Sequence, residues 1–204
     1  MGVGRVKRRD LVWLFGLSLL VRGITAAFIS RPGYMDVAYY AAGGVYLAEG
    51  GGLNEPFIWN YLDNPTGLPR SGFLYWMPLP SLLAAPFAAL FPGFYALQVP
   101  FVLLSAMFPL VGYVVAWQAT GVRRHAWFVG LLTLFSGLFF PYWTLPETFA
   151  PFALLGGLAL WLAPGRGSGG TEELGGRGGM WASLLVGLLV GLVHLTRPDG
   201  ILML

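Results

Sequence analysis

The chain has 204 residues, of which 56% are hydrophobic and only 10% are charged, and its formal net charge is +3. A soluble domain carries about a quarter charged residues, and a chain this short has too much surface to hide such a deficit in a larger core. The composition therefore predicts an integral membrane protein. The lack of cysteine excludes disulfides, thiolate metal sites and cysteine nucleophiles. The basic residues lie at the ends of apolar runs rather than along one face, so nucleic acid is not an expected partner.

Apolar runs predict about five membrane-crossing helices, over residues 11–29, 99–117, 126–143, 148–162 and 181–195. The first run follows a basic cluster, and a cleaved signal peptide is the alternative for it. Its core is long for a signal peptide and contains Arg22. With the amino-terminus in the cytoplasm, five crossings leave eight basic residues inside, which is the positive-inside pattern of a multi-pass protein of the inner (plasma) membrane: Arg5, Lys7, Arg8, Arg9, Arg123, Arg124, Arg166 and Arg177.

The segments between the runs complete a single transmembrane domain over residues 1–204. Residues 78–91 are apolar but short and are interrupted by Pro80 and Pro86, and a crossing there would move Arg123 and Arg124 outside. We predict an interfacial or re-entrant helix on the outer side. Residues 30–77 are predicted to form the first external loop, with a helix over 36–47 that ends at a run of glycines. The glycine-rich residues 164–180 predict a flexible cytoplasmic linker.

Two carboxylates, Asp36 and Glu147, are the candidate catalytic residues. Asp36 follows the first crossing at the start of the predicted helix, where it is either a simple helix cap or a general base or metal ligand. Glu147 interrupts an apolar stretch where a later crossing turns back at the outer interface, and a solvated interfacial residue is the alternative for it. Because both acids emerge on the predicted external face, they can flank one reacting hydroxyl or share a metal ion.

The end of the last run supplies a candidate phosphate ligand. Arg197 either snorkels to the interface or binds a lipid-linked phosphate through its guanidinium fork. Pro198 and Gly200 predict that the helix breaks there. Four further residues are candidates for lining a substrate groove: Arg31, Tyr39, Asp63 and Trp76.

The order of these features resembles the amino-terminal part of the GT-C glycosyltransferases, which include protein mannosyltransferases, aminoarabinose transferases and oligosaccharyltransferase catalytic subunits. Four short segments carry the resemblance: Arg31-Pro-Gly-Tyr-Met-Asp-Val-Ala-Tyr-Tyr followed by Leu47-Ala-Glu-Gly, residues 117–126 at an inner turn, residues 141–149 with Glu147, and Leu195-Thr-Arg-Pro-Asp-Gly. The segments span nearly the whole chain. Glu147 departs from the pattern, since it stands alone where some relatives have an acid-x-acid pair.

The resemblance implies an all-α, GT-C-like bundle that transfers a sugar from a polyprenyl-phosphate donor to a lipid, glycan or protein acceptor outside the cytoplasm. It implies that Asp36 is the catalytic or metal-organising acid, Glu147 its partner and Arg197 a contact of the donor phosphate. A divalent cation, Mg²⁺ or Mn²⁺, held by Asp36 and Glu147, is the expected cofactor. Because family members have more crossings, the chain is expected to be the amino-terminal part of a longer protein.

Two other classes of function stay open at this point. A transporter or flippase-like module would surround its solute with proline- and glycine-broken segments, and a non-catalytic scaffold would need no site. A transporter should carry ionisable residues near the bilayer midplane, where only Arg22 is expected. That distribution favours the enzyme.

Overall fold

The computed structural model describes residues 6–58, 66–137, 140–163 and 177–203. Most of these residues are helical, which confirms the predicted all-α class. Seven α-helices occur in the described part of the chain: α1 (Arg8–Ala27), α2 (Met35–Ala48), α3 (Leu79–Leu90), α4 (Phe94–Thr120), α5 (Arg123–Leu134), α6 (Phe149–Leu162) and α7 (Arg177–His194). Two 3-10 helices, Phe140–Thr144 and Pro198–Met203, and a two-residue antiparallel ladder between β1 (Asn54–Glu55) and β2 (Arg70–Ser71) complete the elements.

Helices α1 and α4 pack side by side in opposite directions. At one end, the Tyr95 hydroxyl at the start of α4 donates to the Ala27 carbonyl at the end of α1, at 3.4 Å. At the other end, Arg123 at the start of α5 forms a two-pronged ion pair with Asp10 near the start of α1, at 2.6 and 2.7 Å. The Tyr113 hydroxyl donates to the same carboxylate at 2.8 Å. The end of the α1–α4 pair next to Asp10 and Arg123 is called the basic end below, and the opposite end is called the acidic end.

The predicted crossing over 126–143 is interrupted. Helix α5 ends at Leu134, and Gly137 has a positive φ of 95°. The next described element is a 3-10 helix that begins at Phe140. Arg22, which is fully buried in α1, donates to the Leu134 carbonyl at 2.8 Å and to the Phe140 carbonyl at 3.1 Å. A cationic side chain at a helix carboxyl end satisfies carbonyl groups that have no partner within the helix. Arg22 therefore faces the bundle interior as a structural cap.

Helices α2 and α3 form a tight hairpin at the acidic end. Their backbones approach closely because α2 carries two glycines at the contact: a Cβ on Gly43 would lie 2.8 Å from Oγ of Ser81, and one on Gly44 would lie 3.0 Å from Cβ of Ala84. Both ends of α3 stay at the acidic end. The Leu79 amide at the start of α3 donates to the Leu195 carbonyl beyond α7. Only three residues separate the end of α3 from the start of α4. The predicted helix in residues 78–91 is observed as Leu79–Leu90, and its interfacial or re-entrant position stays a prediction.

Two of the five helices predicted to cross a membrane have the length and composition for it. They are α1, with 20 residues, and α4, with 27 residues. Helices α6 and α7 are apolar but shorter in their described parts. Residues 177–180, predicted as the end of a linker, are the first turn of α7, and residues 164–176 lie outside the described residues. A bundle with five crossings is therefore still a prediction.

Candidate functional site

Four separate segments meet around one cavity of about 360 Å³ at the acidic end. It is lined by Asp36 and Tyr40 of α2, Trp76 before α3, the segment 147–149 at the start of α6, and the segment 196–199 after α7. This space is called the Asp36 cavity. It brings together four of the predicted site residues: Asp36, Glu147, Arg197 and Trp76. The two acids were expected to share a face of the protein, close enough to flank one hydroxyl or share a metal ion, and they line the same cavity.

Specific contacts hold these segments together. The amide of Leu79 at the start of α3 donates to the Leu195 carbonyl at 2.9 Å, which joins the α2–α3 hairpin to the segment after α7. The hydroxyl of Tyr34, immediately before α2, donates to Oε2 of Glu147 at 3.2 Å. The Tyr34 ring also meets the Tyr142 ring edge to face, with centroids 5.2 Å apart. Contacts between segments that are distant in the sequence therefore form the cavity.

Glu147 is 4% exposed and fully engaged by hydrogen bonds. Its Oε1 accepts from the Thr148 amide at 2.6 Å and from the Thr148 hydroxyl at 2.7 Å, while Oε2 accepts from Tyr34. Burial raises the pKa of Glu147 above its usual range, and the neighbouring Asp36 charge adds to the rise, although the hydrogen bonds from Thr148 and Tyr34 oppose it. The carboxyl group is thus fixed in position and poised for protonation.

Asp36 is the more accessible acid. It lies in the first turn of α2 and is not the capping residue, which is Tyr34. An acid in the first turn still lies near the positive end of the helix dipole, so a purely structural role stays an alternative. Within the described part of the chain its carboxylate accepts no hydrogen bond, which leaves both oxygens available to a ligand. Burial raises the pKa of Asp36. A half-buried, unengaged carboxylate with a raised pKa has the properties of a general base.

Tyr40 was not among the predicted site residues. It lies one helical turn after Asp36 and is 1% exposed, yet its hydroxyl has no hydrogen-bond partner among the described residues. Burial, with Glu147 and Asp36 nearby, raises the pKa of Tyr40, so the hydroxyl remains a neutral donor. A buried hydroxyl without a partner is costly for the fold. The one signal in the sequence is the spacing of four residues from Asp36, which puts both side chains on one face.

Arg197 lies in a sharp turn after α7. Its Nε and Nη2 donate to the two oxygens of Asp199 at 3.0 and 3.1 Å, and its guanidinium lies 5.4 Å from the centre of the Phe152 ring. Gly200 permits the turn, because a Cβ there would lie 2.7 Å from the backbone of Val193. The side chains of Arg197 and Asp199 are 43% and 49% exposed, so the ion pair is open to exchange with a stronger ligand.

The remaining predicted residues lie elsewhere. The Tyr39 hydroxyl binds Glu55 and accepts a hydrogen bond from the Phe73 amide, so it fastens the external segment. Tyr39 does not line the Asp36 cavity, because it is one position, about 100° of helix, away from Tyr40. A role for Tyr39 in substrate binding stays a prediction. Glu55 also pairs with Arg70 at 2.7 Å. Arg31 is exposed between α1 and α2, outside the cavity lining. Asp63 lies outside the described residues.

The acids of the Asp36 cavity form a sparse ligand set for a metal ion. No group of three or more His, Cys, Asp and Glu residues that could hold a metal occurs in the described ranges. Mg²⁺ is often held by one or two carboxylates when phosphate oxygens and water complete its shell. Asp36 has free oxygens for this purpose, whereas both oxygens of Glu147 already accept hydrogen bonds. The residues therefore fit a cation only together with a phosphate ligand.

Comparisons with protein-family models, with characterised proteins and with solved structures give no match for this chain. The resemblance to the GT-C enzymes therefore stays a prediction from short motifs in a shared order. The chemistry open to the chain follows from the groups in the Asp36 cavity.

Proposed function

We propose that the chain is embedded in a membrane, with its acidic end on the external side. Large apolar side chains are exposed along the middle of several helices, among them Val12, Leu20 and Ile24 on α1, Leu103 and Met107 on α4, and Leu184 and Leu188 on α7. Exposed apolar side chains on helices that satisfy their own backbone hydrogen bonds suit a lipid environment. Arg123 and Arg124 lie at the same end as Arg8 and Arg9, which supports a cytoplasmic basic end.

We propose that the protein is a glycosyltransferase that moves a sugar from a polyprenyl-phosphate donor to an acceptor on the external side. The observation that carries this proposal is the meeting of Asp36, Glu147 and Arg197 on one cavity at the acidic end. A carboxylate is suited to activating a hydroxyl, and a guanidinium fork is matched to phosphate oxygens. Trp76 supplies a large apolar surface with one polar N–H, which suits a sugar ring.

The proposed step is a single displacement. The acceptor hydroxyl oxygen bonds to the anomeric carbon of the donor sugar, and its proton passes to the Asp36 carboxylate. The bond between the anomeric carbon and the phosphate oxygen breaks, and polyprenyl phosphate leaves as an anion paired with Arg197. Charge stabilisation at a leaving group is among the largest contributions that an enzyme makes. A divalent cation held by one Asp36 oxygen together with the phosphate, with the Glu147 charge nearby, would add to this stabilisation.

The two acids are assigned different roles because their surroundings differ. Both oxygens of Glu147 accept hydrogen bonds, and the side chain is nearly inaccessible, so it orients the cavity wall and adds negative charge. Asp36 is free of such bonds and half-buried, so it can receive a proton. The Tyr40 hydroxyl is a third group, available to donate to a substrate oxygen.

The transporter alternative receives less support. It needs ionisable groups along a path through the bundle, and the buried candidate is Arg22. The guanidinium of Arg22 is committed to the carbonyls of Leu134 and Phe140 and lies 4.5 Å from the centre of the Phe140 ring. An arginine held in this way stabilises the break after α5 and is not free to bind a passing ion.

The test follows a labelled sugar on a polyprenyl-phosphate carrier in liposomes that contain the natural full-length protein. Transfer predicts that label leaves the lipid fraction and appears on an added acceptor. A transporter or flippase predicts that the label stays on its lipid or crosses the bilayer unchanged. Label that remains on the carrier throughout, with a range of lipid, glycan and peptide acceptors present, would contradict the proposal.

A further inference from the structure

A second cavity lies at the basic end, and the sugar-transfer reaction does not use it. It measures about 750 Å³ and is lined by Lys7, Arg9 and Arg123, by the indoles of Trp13 and Trp127, and by Asp10 and Leu17. This space is called the Lys7 cavity. Because α1 has 20 residues and rises about 1.5 Å per residue, the Lys7 cavity is about 30 Å from the end of α1 that leads to Asp36.

The Lys7 cavity carries excess positive charge. Asp10 is 2% exposed, and its two oxygens are occupied by Arg123 and by the Tyr113 hydroxyl. The carboxylate therefore neutralises Arg123 and no other cation. Lys7 and Arg9 are exposed and form no ion pair within the described ranges. Two unneutralised cations thus face a concave space that is bordered by aromatic rings, which is the chemistry of an anion site.

An apolar stripe begins at this cavity and runs along α1. Its members are Trp13, Leu17, Leu20 and Ile24, which are 63%, 37%, 60% and 51% exposed. Steps of four, three and four residues place these side chains on one face of the helix. Trp13 and Leu17 belong both to the stripe and to the cavity lining. A cationic pocket therefore opens directly onto an exposed apolar surface.

We propose that the Lys7 cavity binds the headgroup of an anionic phospholipid whose acyl chains lie along the stripe of α1. The two cations select a headgroup with net negative charge, and the tryptophans suit the interfacial depth at which headgroups lie. The stripe favours an amphiphile over a soluble phosphate, which has no apolar part to cover it. This proposal rests on membrane insertion of the chain and does not depend on sugar transfer.

The test measures binding of phosphatidylglycerol and phosphatidylcholine to the purified full chain in a neutral detergent, by native mass spectrometry. The wild type is expected to prefer phosphatidylglycerol. The double variant Lys7→Gln/Arg9→Gln should lose about thirtyfold in affinity for phosphatidylglycerol, the effect of two surface cations on binding to anionic lipid, and should bind phosphatidylcholine as before. Both side chains are exposed, so the variant is expected to fold, and matching circular dichroism spectra check this.

The matched control is Arg8→Gln/Arg124→Gln. It removes the same charge from the same end of the molecule, at two exposed residues that do not line the cavity, and should retain the preference for phosphatidylglycerol. An equal loss in this control would overturn the proposal in favour of diffuse attraction by the basic end. Displacement of phosphatidylglycerol by millimolar inorganic phosphate would also overturn it, since the site would then recognise phosphate alone. Sugar transfer can fail or succeed without affecting either outcome.

Discussion

The hydroxyl of Tyr34 donates a 3.2 Å hydrogen bond to Oε2 of Glu147 across 113 positions of sequence. Tyr34 is the residue before α2, and Glu147 lies two residues before α6. The bond therefore fixes the start of the helix that carries Asp36 against the segment that carries the second acid. Two carboxylates that the sequence places on the same predicted face become neighbours on one cavity through this contact.

The raised pKa of Glu147 predicts that the stability of the folded protein depends on pH. The folded state holds the Glu147 proton more tightly than the unfolded chain, in which a glutamate has a pKa of about 4.3. The wild type therefore loses folding free energy as the pH rises from about 4.3 through the raised pKa. Glu147→Gln does not titrate, so its Tm should equal that of the wild type at acid pH and exceed it increasingly toward alkaline pH.

Thermal unfolding in detergent across a pH series measures this difference. The matched control is Glu49→Gln, because Glu49 is exposed after the end of α2 and its charge stays in water. The control should give a Tm close to that of the wild type at every pH. A difference between Glu147→Gln and wild type that is the same at all pH values would show that Glu147 does not titrate in a buried site.

Sequence patterns predict a helix end well where a local stop signal marks it and poorly where the end depends on a distant residue. The helix predicted over 36–47 is observed as Met35–Ala48. Its end is predicted closely because the glycine run that follows is a clear stop signal. The crossing predicted over 126–143 was drawn as continuous because hydropathy alone cannot reveal a break that a distant residue stabilises. Arg22, more than a hundred positions earlier, satisfies the carbonyls at that break.

Three of the predicted charged residues line the Asp36 cavity, whereas Arg31 lies outside its lining, and one neutral residue of the lining was not predicted. Asp36, Glu147 and Arg197 stand out because charges are rare in this chain. Of the two adjacent tyrosines, Tyr39 is the predicted site residue and Tyr40 is the one that lines the cavity, since a period of 3.6 residues does not say which face a ligand occupies. The engagement of Tyr39 by Glu55 depends on a β1–β2 contact that no local pattern indicates.

Arg197 is predicted to exchange Asp199 for the donor phosphate. Arg197→Ala should raise the KM for the polyprenyl-phosphate donor by about 10- to 100-fold, the loss of a charged hydrogen-bonding partner, with little change in the acceptor KM. Arg197→Lys should recover part of this because it keeps the charge and loses the fork. Asp199→Asn should lower the donor KM, since it frees the guanidinium.

Steady-state kinetics with each substrate varied in turn checks this exchange. Arg124→Ala, at the basic end, is the control and should leave both KM values unchanged. An unchanged donor KM in Arg197→Ala would mean that the side chain only anchors the turn after α7. A raised donor KM in Asp199→Asn would mean that Asp199 positions Arg197 and does not compete for it.

The Tyr40 hydroxyl is predicted to donate a hydrogen bond to the substrate and to lower the stability of the folded protein. Tyr40→Phe removes a buried hydroxyl that has no partner among the described residues, so the Tm should be unchanged or higher. If the hydroxyl donates to a substrate oxygen, kcat/KM should fall by about 3- to 10-fold. Tyr46→Phe, on the same helix but outside the cavity lining, is the control. A lower Tm with unchanged kcat/KM would assign the Tyr40 hydroxyl to the fold.

The orientation of the chain can be tested with single cysteines, because the sequence contains none. Asn54 and Arg124 are both exposed, the first in the segment after α2 and the second at the basic end. A membrane-impermeant maleimide should label Asn54→Cys in intact cells. It should label Arg124→Cys only after permeabilisation. Labelling of Arg124→Cys in intact cells would place the basic end outside and remove the Asp36 cavity from the external face.

Asp36 is the proposed general base, and the proposed reaction has no base without it. Asparagine keeps the shape of the side chain and removes the charge that accepts the proton. Burial raises the pKa of Asp36, so wild-type activity should rise with pH through a midpoint above the usual aspartate range. Since Tyr34 and not Asp36 occupies the capping position of α2, Asp36→Asn should leave the fold intact.

The most direct measurement is the turnover of a labelled polyprenyl-phosphate sugar by the natural full-length protein and by its Asp36→Asn variant, at matched levels in the membrane. The proposed mechanism predicts that kcat falls by about 10²- to 10⁴-fold, the contribution of a general base, while the donor KM changes little. Glu49→Asn, at an exposed acid outside the cavity, should turn over as the wild type does. Turnover by Asp36→Asn close to that of the wild type would contradict the account, since the proposed reaction would proceed without its base.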